Sequence, residues 1–340
     1  MTHRGILVLI GVALLVALGA IGVFYHAIFA YSETPYPPDP KRVIVEIPEG
    51  LDFRQICLLL EEHGLVSDAD RFYLLGRIRK TTRELKAGEY EVQTPIRPDR
   101  LMNMLVGGEV RIHKFTIPEG YNLRQIAQVL AGTRIAGADG FLQSAFSPEV
   151  TRSLGIEADT LEGYLFPDTY RYTRGTDLDR ILRVMISRFN EMFDDAMRAR
   201  AAEVGMTVHE AVTFASIIEK ETGRPSERDS ISAVFHNRLR RGMKLESDPT
   251  VIYGIKDFDG NLTRRHLSTP SPYNTYVIKG LPPGPICSPG LESLKAALNP
   301  SRERYLFFVS KNDGSHYFSE TYAEHLKAVN RYQRKRRGGG

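Results

Sequence analysis

The sequence predicts an α+β protein carrying one N-terminal transmembrane helix, then β-α modules, then a mixed helical and loop-rich region that closes on a small β-hairpin. Three observations predict it. A charge-free apolar run covers residues 5–24, a strand–turn–helix motif occurs twice, and helical stripes after residue 150 give way to loops dense in Pro and Gly. At 340 residues the chain exceeds one average domain, so two or three folded units are expected. With 42% hydrophobic and 25% charged residues it can build a true core. The net charge of +4 is small for this length and gives no nucleic-acid footprint. The one dense basic run, Arg334 to Arg337, reads as part of a solvated tail over 331–340.

The first element is the apolar run. Gly5 to Phe24 carries no charge and is long enough to cross the roughly 30 Å of bilayer hydrocarbon. Tyr25, His26 and Tyr31 follow, as in an interfacial aromatic belt. A cleaved signal peptide is the rival reading. Its apolar core usually spans about 7–15 residues, and the nearest cleavage candidate, ending at Ala30, has Ile28 where a small side chain is needed. The expectation is an uncleaved anchor over 5–30 behind a stub of residues 1–4. Arg4 precedes the run and no Lys or Arg follows it until Lys41, which places the N-terminus in the cytoplasm and the remainder outside. Residues 31–41, with Pro35, Pro37, Pro38 and Pro40, read as an extended spacer.

The repeat comes next. Val45 to Ile56 aligns with Phe115 to Ile126, and both copies contain Ile-Pro-Glu-Gly followed by Arg-Gln-Ile. In each, a short strand (43–47; 114–117) ends in a turn that glycine permits. Asp52 or Asn122 then caps a helix whose apolar residues recur at helical spacing, Ile56, Leu59 and Leu60 in one and Ile126, Val129 and Leu130 in the other. These units resemble the β-α units of LysM-like modules, which hold glycan chains, and give a first repeat region over 42–110 and a second module over 111–150. A purely structural duplication explains the repeat equally well.

A third region is expected over 151–330. Thr176 to Asp179 opens a helical stripe running towards Gly205, and Thr207-Val-His-Glu210 is a capping box opening a helix through Glu221. Another helix covers about 226–241 and stops at Gly242. Beyond 246 come Pro- and Gly-rich loops, a short helix at Leu291–Leu298, and a hairpin over 305–319. Cys57 and Cys287 are too few and too far apart for a disulfide framework or a zinc site. Neither metal-ligand spacing nor a phosphate-cradling loop occurs, so no metal or cofactor is expected.

On the helix through Glu221, Ala211, Val212, Phe214, Ala215 and Ile218 form the apolar face, with Glu219 at its edge and Lys220 opposite. Carboxyls on an apolar rim tend to hold their protons, which suits a general acid. Glu221, two residues on, points elsewhere and cannot pair with Glu219. From the helix alone, two ordinary solvated glutamates are the simpler reading.

Four segments carry a resemblance that changes this balance: Leu161 to Tyr170, Ala215 to Thr222, Val234 to Arg240 with Ser247 to Gly254, and Tyr273 to Tyr276 with Gly280 to Gly284. Together they resemble the endolytic murein transglycosylase (YceG-like) family over nearly the whole chain. The resemblance implies that Glu219 is the catalytic acid and base, cleaving the MurNAc–GlcNAc bond of peptidoglycan strands and leaving 1,6-anhydro ends. It also implies action outside the plasma membrane, termination of glycan elongation, and peptidoglycan synthases as partners. Weaker candidates for sugar contact are Glu162, Tyr164, Asp168, Glu221, Asn237, Asp248, Tyr273 and Asn274. Glu162, Tyr164 and Asp168 could equally lock a turn, and Asn237 more often packs. Two other classes stay open: a non-catalytic peptidoglycan-binding scaffold, and a hydrolase whose second carboxylate is Asp168 or Asp248.

Overall fold

The computed structural model describes residues 3–221 and 223–334; the tail beyond 334, Thr222 and the first two residues of the N-terminal stub lie outside the described residues. The architecture is α+β, with an N-terminal apolar helix and three small two-stranded sheets among the described residues. The chain divides into two compact units, one of residues 1–113 with 172–175, the other of 114–171 with 176–340.

The first unit begins with helix α1 (His3–Glu33). Its stretch Leu7–Glu33 contains 18 residues of mean hydropathy 2.9 and is long and apolar enough to cross a membrane. The helix continues past residue 30: Ile28 and Tyr31 are buried in the unit's core, and Tyr31 donates to the Asp68 carbonyl at 3.2 Å. Residues 31–41, expected to form an extended spacer, lie against this unit instead. Tyr36 exchanges backbone hydrogen bonds with Ile96, and the Thr94 hydroxyl links to Asp39 and Lys41. Strand β1 (Arg42–Ile47) leads into α2 (Phe53–Glu62) and α3 (Ala69–Arg79), and β2 (Gly88–Gln93) pairs antiparallel with β1 before α4 (Pro98–Gly107). Buried Glu89 is paired with Arg111 and Arg174, and His113 Nε2 lies 2.7 Å from its Oε2.

Strands β3 (Ile112–Thr116) and β4 (Thr169–Thr173) pair with one another, and the chain passes between units within both. Between them lie α5 (Leu123–Ala131), α6 (Ala138–Ala145) and α7 (Pro148–Ser153). The repeat is a structural repeat in detail: Asp52 caps α2 and Asn122 caps α5, each in a reciprocal capping box with Gln55 or Gln125. Gly50 and Gly120 turn at φ +86° and +76°, the left-handed region that glycine tolerates.

The second unit continues with α8 (Leu178–Met192) and α9 (Asp195–Glu203). The single helix expected here is two, because Asp194 adopts an extended conformation and caps α9 through the Met197 N–H. Helix α10 (Val208–Glu221) is opened by the Thr207–Glu210 capping box and followed by α11 (Arg228–Arg240). The loop-rich stretch holds two short helices, α12 (Asp248–Gly254) and α13 (Arg264–Ser268). Helix α14 (Leu291–Leu298), the antiparallel hairpin of β5 (Phe307–Ser310) with β6 (His316–Ser319), and α15 (Tyr322–Val329) complete the unit. Cys57 and Cys287 are both free and buried.

Candidate active site

Helix α10 is not the half-exposed helix that its apolar stripe suggests. Every residue from Ala211 to Ile218 is buried, Thr213 and Ser216 included. Ser216 explains how the polar side is covered: its hydroxyl donates to the Thr213 carbonyl and accepts the Ile286 N–H at 3.0 Å. The loop around Cys287 thereby folds over the helix, and the buried core ends where Glu219, Lys220 and Glu221 emerge.

Glu219 sits in the wall so formed, its side chain 8% exposed. Its Oε2 accepts the Gly290 N–H at 3.0 Å. Oε1 accepts no hydrogen bond among the described residues and lies 4.0 Å from the Arg228 guanidinium. One oxygen is thus fixed by a backbone N–H while the other has no hydrogen-bond partner among the described residues. The Pro-Glu-Gly turn of the second repeat closes the site. Gly120 donates its N–H to the Ser288 carbonyl at 2.9 Å, Ser288 returns one to the Tyr121 carbonyl at 2.8 Å, and Lys220 reaches the Gly120 carbonyl at 3.3 Å. The Glu119 carboxylate then lies directly on Gly290, where any side chain would collide with it. Partial burial, and next the negative charge of Glu219, raise the pKa of Glu119, opposed by Arg228. The site therefore holds two carboxylates and one arginine, whose buried Nε has no hydrogen-bond partner among the described residues.

The other candidates from sequence do not gather around Glu219. Glu162 is buried, accepts the Leu123 N–H and the Tyr253 hydroxyl, and has its pKa pushed up to about 7 by burial. It ties the start of α5 to α12. Tyr164 is buried and its hydroxyl lies 2.8 Å from His209 Nδ1. Since His209 Nε2 lies 2.8 Å from the Pro283 carbonyl, it must donate there, and in the neutral imidazole Nδ1 is left to accept from the tyrosine. Asp168 pairs with Arg188 at 2.8 Å and accepts the Thr169 N–H.

Glu221 and Asp248 line a separate cavity of about 370 Å³ with Tyr276 and His316. The Ser247 hydroxyl donates to Glu221, the Tyr276 hydroxyl to Asp248 at 2.7 Å, and burial pushes the Glu221 pKa up to about 7. Asn237 donates to the Glu303 and Tyr305 carbonyls, and Asn274 to the carbonyls of His266, Leu267 and Thr269. The rings of Tyr273 and Tyr253 pack 4.8 Å apart. Among the described residues, no cluster of three His, Cys, Asp or Glu side chains could hold a metal ion.

Sequence reasoning overlooked Glu119, Arg228 and Gly290. A signal for Glu119 was present, because it sits in the repeated Ile-Pro-Glu-Gly, but its counterpart Glu49 occupies the same local turn in the other unit. Local pattern could not tell the two apart. Nothing local marks Arg228 or Gly290.

Comparison with known proteins bears on this arrangement. The sequence profile of the YceG-like family matches residues 45–331. The chain is 31% identical over 315 residues to the endolytic murein transglycosylase of Bacillus subtilis (strain 168), covering 88% of this chain and 87% of that protein. It is 29% identical over 348 residues to the protein of the same name from Streptococcus pneumoniae (serotype 2, strain D39 / NCTC 7466). That alignment covers 93% of this chain but 63% of the longer pneumococcal protein. A crystal structure of a yceG-like protein from Listeria monocytogenes matches with a TM-score of 0.59 at 33% identity, over 84% of this chain and 98% of that one.

Proposed function

The chain belongs to the YceG-like family, and from that membership we propose that it is a membrane-anchored endolytic murein transglycosylase with Glu219 as both acid and base. The observation that carries the reading is the Glu219 carboxyl at the end of a buried helix, with Oε2 held by Gly290 and Oε1 unbonded among the described residues. Protonated Oε1 gives its proton to the oxygen bridging MurNAc and GlcNAc as that bond breaks. Positive charge develops on the muramic ring, and two carboxylates facing it stabilise that charge. The Glu219 carboxylate then takes the proton of the C6 hydroxyl as its oxygen attacks C1, giving a 1,6-anhydro end without consuming water. The tethered nucleophile gains from its high effective concentration. Arg228, its Nη2 4.0 Å from Glu219 Oε1, adds a cation beside the two carboxylates.

In this proposal residues 5–30 anchor the chain in the plasma membrane with the N-terminus cytoplasmic, and the β-α repeats act as LysM-like modules that hold the strand. Domain limits of 42–110, 111–150 and 151–330, a role in ending elongation, and peptidoglycan synthases as partners belong to the same proposal.

One observation favours a second reading. Glu119 beside Glu219 offers a base for water, the pair that a hydrolase needs. Digesting purified glycan strands with the full chain in detergent separates the readings. Anhydro ends support transglycosylation, reducing ends support hydrolysis, and intact strands leave a binding scaffold.

A further inference from the structure

We propose that a cavity next to Glu219 is a subsite for the acidic peptide stem carried by the muramic acid at the cleavage point. The cavity, about 500 Å³, opens between the start of α5 and α12 and includes Gly120 and Lys220. Both lie at the candidate active site: a side-chain carbon on Gly120 would stand 3.7 Å from the Glu219 Cγ, and Lys220 follows Glu219 in sequence. A ligand seated there lies beside the group on which Glu219 acts.

The lining sets the ligand's chemistry. Arg124, Lys220 and Lys256 contribute three cations, while Ile252, Tyr253 and Phe258 contribute apolar wall. No acidic side chain lines the cavity among the described residues, and none of the three cations is in an ion pair there. The Glu162 carboxyl behind the wall is buried, accepts from Tyr253 and Leu123, and feels the Arg124 charge. Three cations and no lining carboxylate around an apolar pocket fit an anion with small apolar parts. A stem peptide, which alternates alanine methyls with free carboxylates, has that pattern; a bare sugar chain, neutral apart from its lactyl groups, does not. The pocket is positioned for specificity and not for the chemical step. The inference rests on the glycan-cleaving reading, which supplies the reason for a peptide to be there.

The test uses the full chain carrying Glu219→Gln, so that binding is read without turnover, and the probe N-acetyl-alanyl-γ-glutamyl-diaminopimelate. Calorimetry should detect binding that weakens with added salt. Adding Arg124→Glu and Lys256→Glu should weaken it about tenfold, the equivalent of two exposed ion pairs. Absence of binding, or equal binding with the two glutamates in place, overturns the inference whatever the enzyme's activity. With Glu219 restored, the wild-type chain should cut stem-bearing strands faster than strands stripped by an amidase, and the Arg124→Glu, Lys256→Glu chain should cut both at the stripped-strand rate. A preference unchanged by the two substitutions also overturns it. Failure of every form to cut either strand, with peptide binding intact, sinks the glycan-cleaving reading and leaves the peptide site standing.

Discussion

The Gly290 N–H holds Glu219 Oε2 at 3.0 Å, while the Glu119 carboxylate fills the space where a side chain on the same glycine would stand. One residue without a side chain thus brings together two acids that lie one hundred positions apart.

Glu219→Gln keeps an acceptor for Gly290 and removes the transferable proton. Strand cleavage should fall by about 10²–10⁴-fold, the span of general acid–base catalysis, with the thermal midpoint unchanged. Glu221→Gln should retain cleavage, since Glu221 lies in the separate cavity with Asp248. The reverse ranking of the two variants would sink the assignment.

Gly290→Ala tests the contact itself. Its φ of −75° suits alanine, so the backbone is not strained, but the added methyl collides with Glu119. Displacing either Glu119 or the N–H donor should lower kcat by at least about tenfold, because a misplacement of about 1 Å can cost 10²-fold. Circular dichroism should report an unchanged fold.

Glu119→Gln should leave a pH signature. Burial and the neighbouring Glu219 charge raise the Glu119 pKa above its ordinary value, so Glu119 adds its own titration to the pH profile. Glutamine removes that titration, and the limb of kcat/KM that it sets should disappear. A drop in rate at constant profile shape would assign Glu119 to substrate contact alone.

Glu162 carries a stability prediction. Burial raises its pKa from 4.5 to about 7, so the folded state binds the proton more tightly than the unfolded chain does. Its contribution is fully present below 4.5 and is lost as pH rises through about 7. Thermal melts from pH 4.5 to 8 should therefore show a decline that Glu162→Gln flattens. Glu162→Ala should destabilise at all these pH values by about 1–3 kcal/mol, through the unpaired Leu123 N–H and Tyr253 hydroxyl.

Much of the local architecture was legible in the residues. The apolar run, the two strand–turn–helix copies with their Asp52 and Asn122 caps, the Thr207 capping box and the final hairpin all follow from patterns a few residues long. Glu219 was legible only with the help of family resemblance, since periodicity ranks it barely above Glu221. The burial of both sides of α10 was not legible, because it depends on what a distant segment supplies. The break at Asp194 had a local signal, its own cap, that the continuous apolar stripe outweighed.

By itself the sequence determined the elements whose causes are local: hydrophobic period, caps, and glycine turns. Tertiary structure alone decided which of two identical Pro-Glu-Gly turns meets Glu219, and that Ile286 to Gly290 covers α10 and fixes its carboxyl. It also decided that Glu162 spends its oxygens on the Leu123 N–H and the Tyr253 hydroxyl, and that the Asn237 and Asn274 amides donate to backbone carbonyls. The physical reason is that a side chain's environment is set by contacts across long sequence separations, and identical local conformations acquire different chemistry when packing gives them different neighbours.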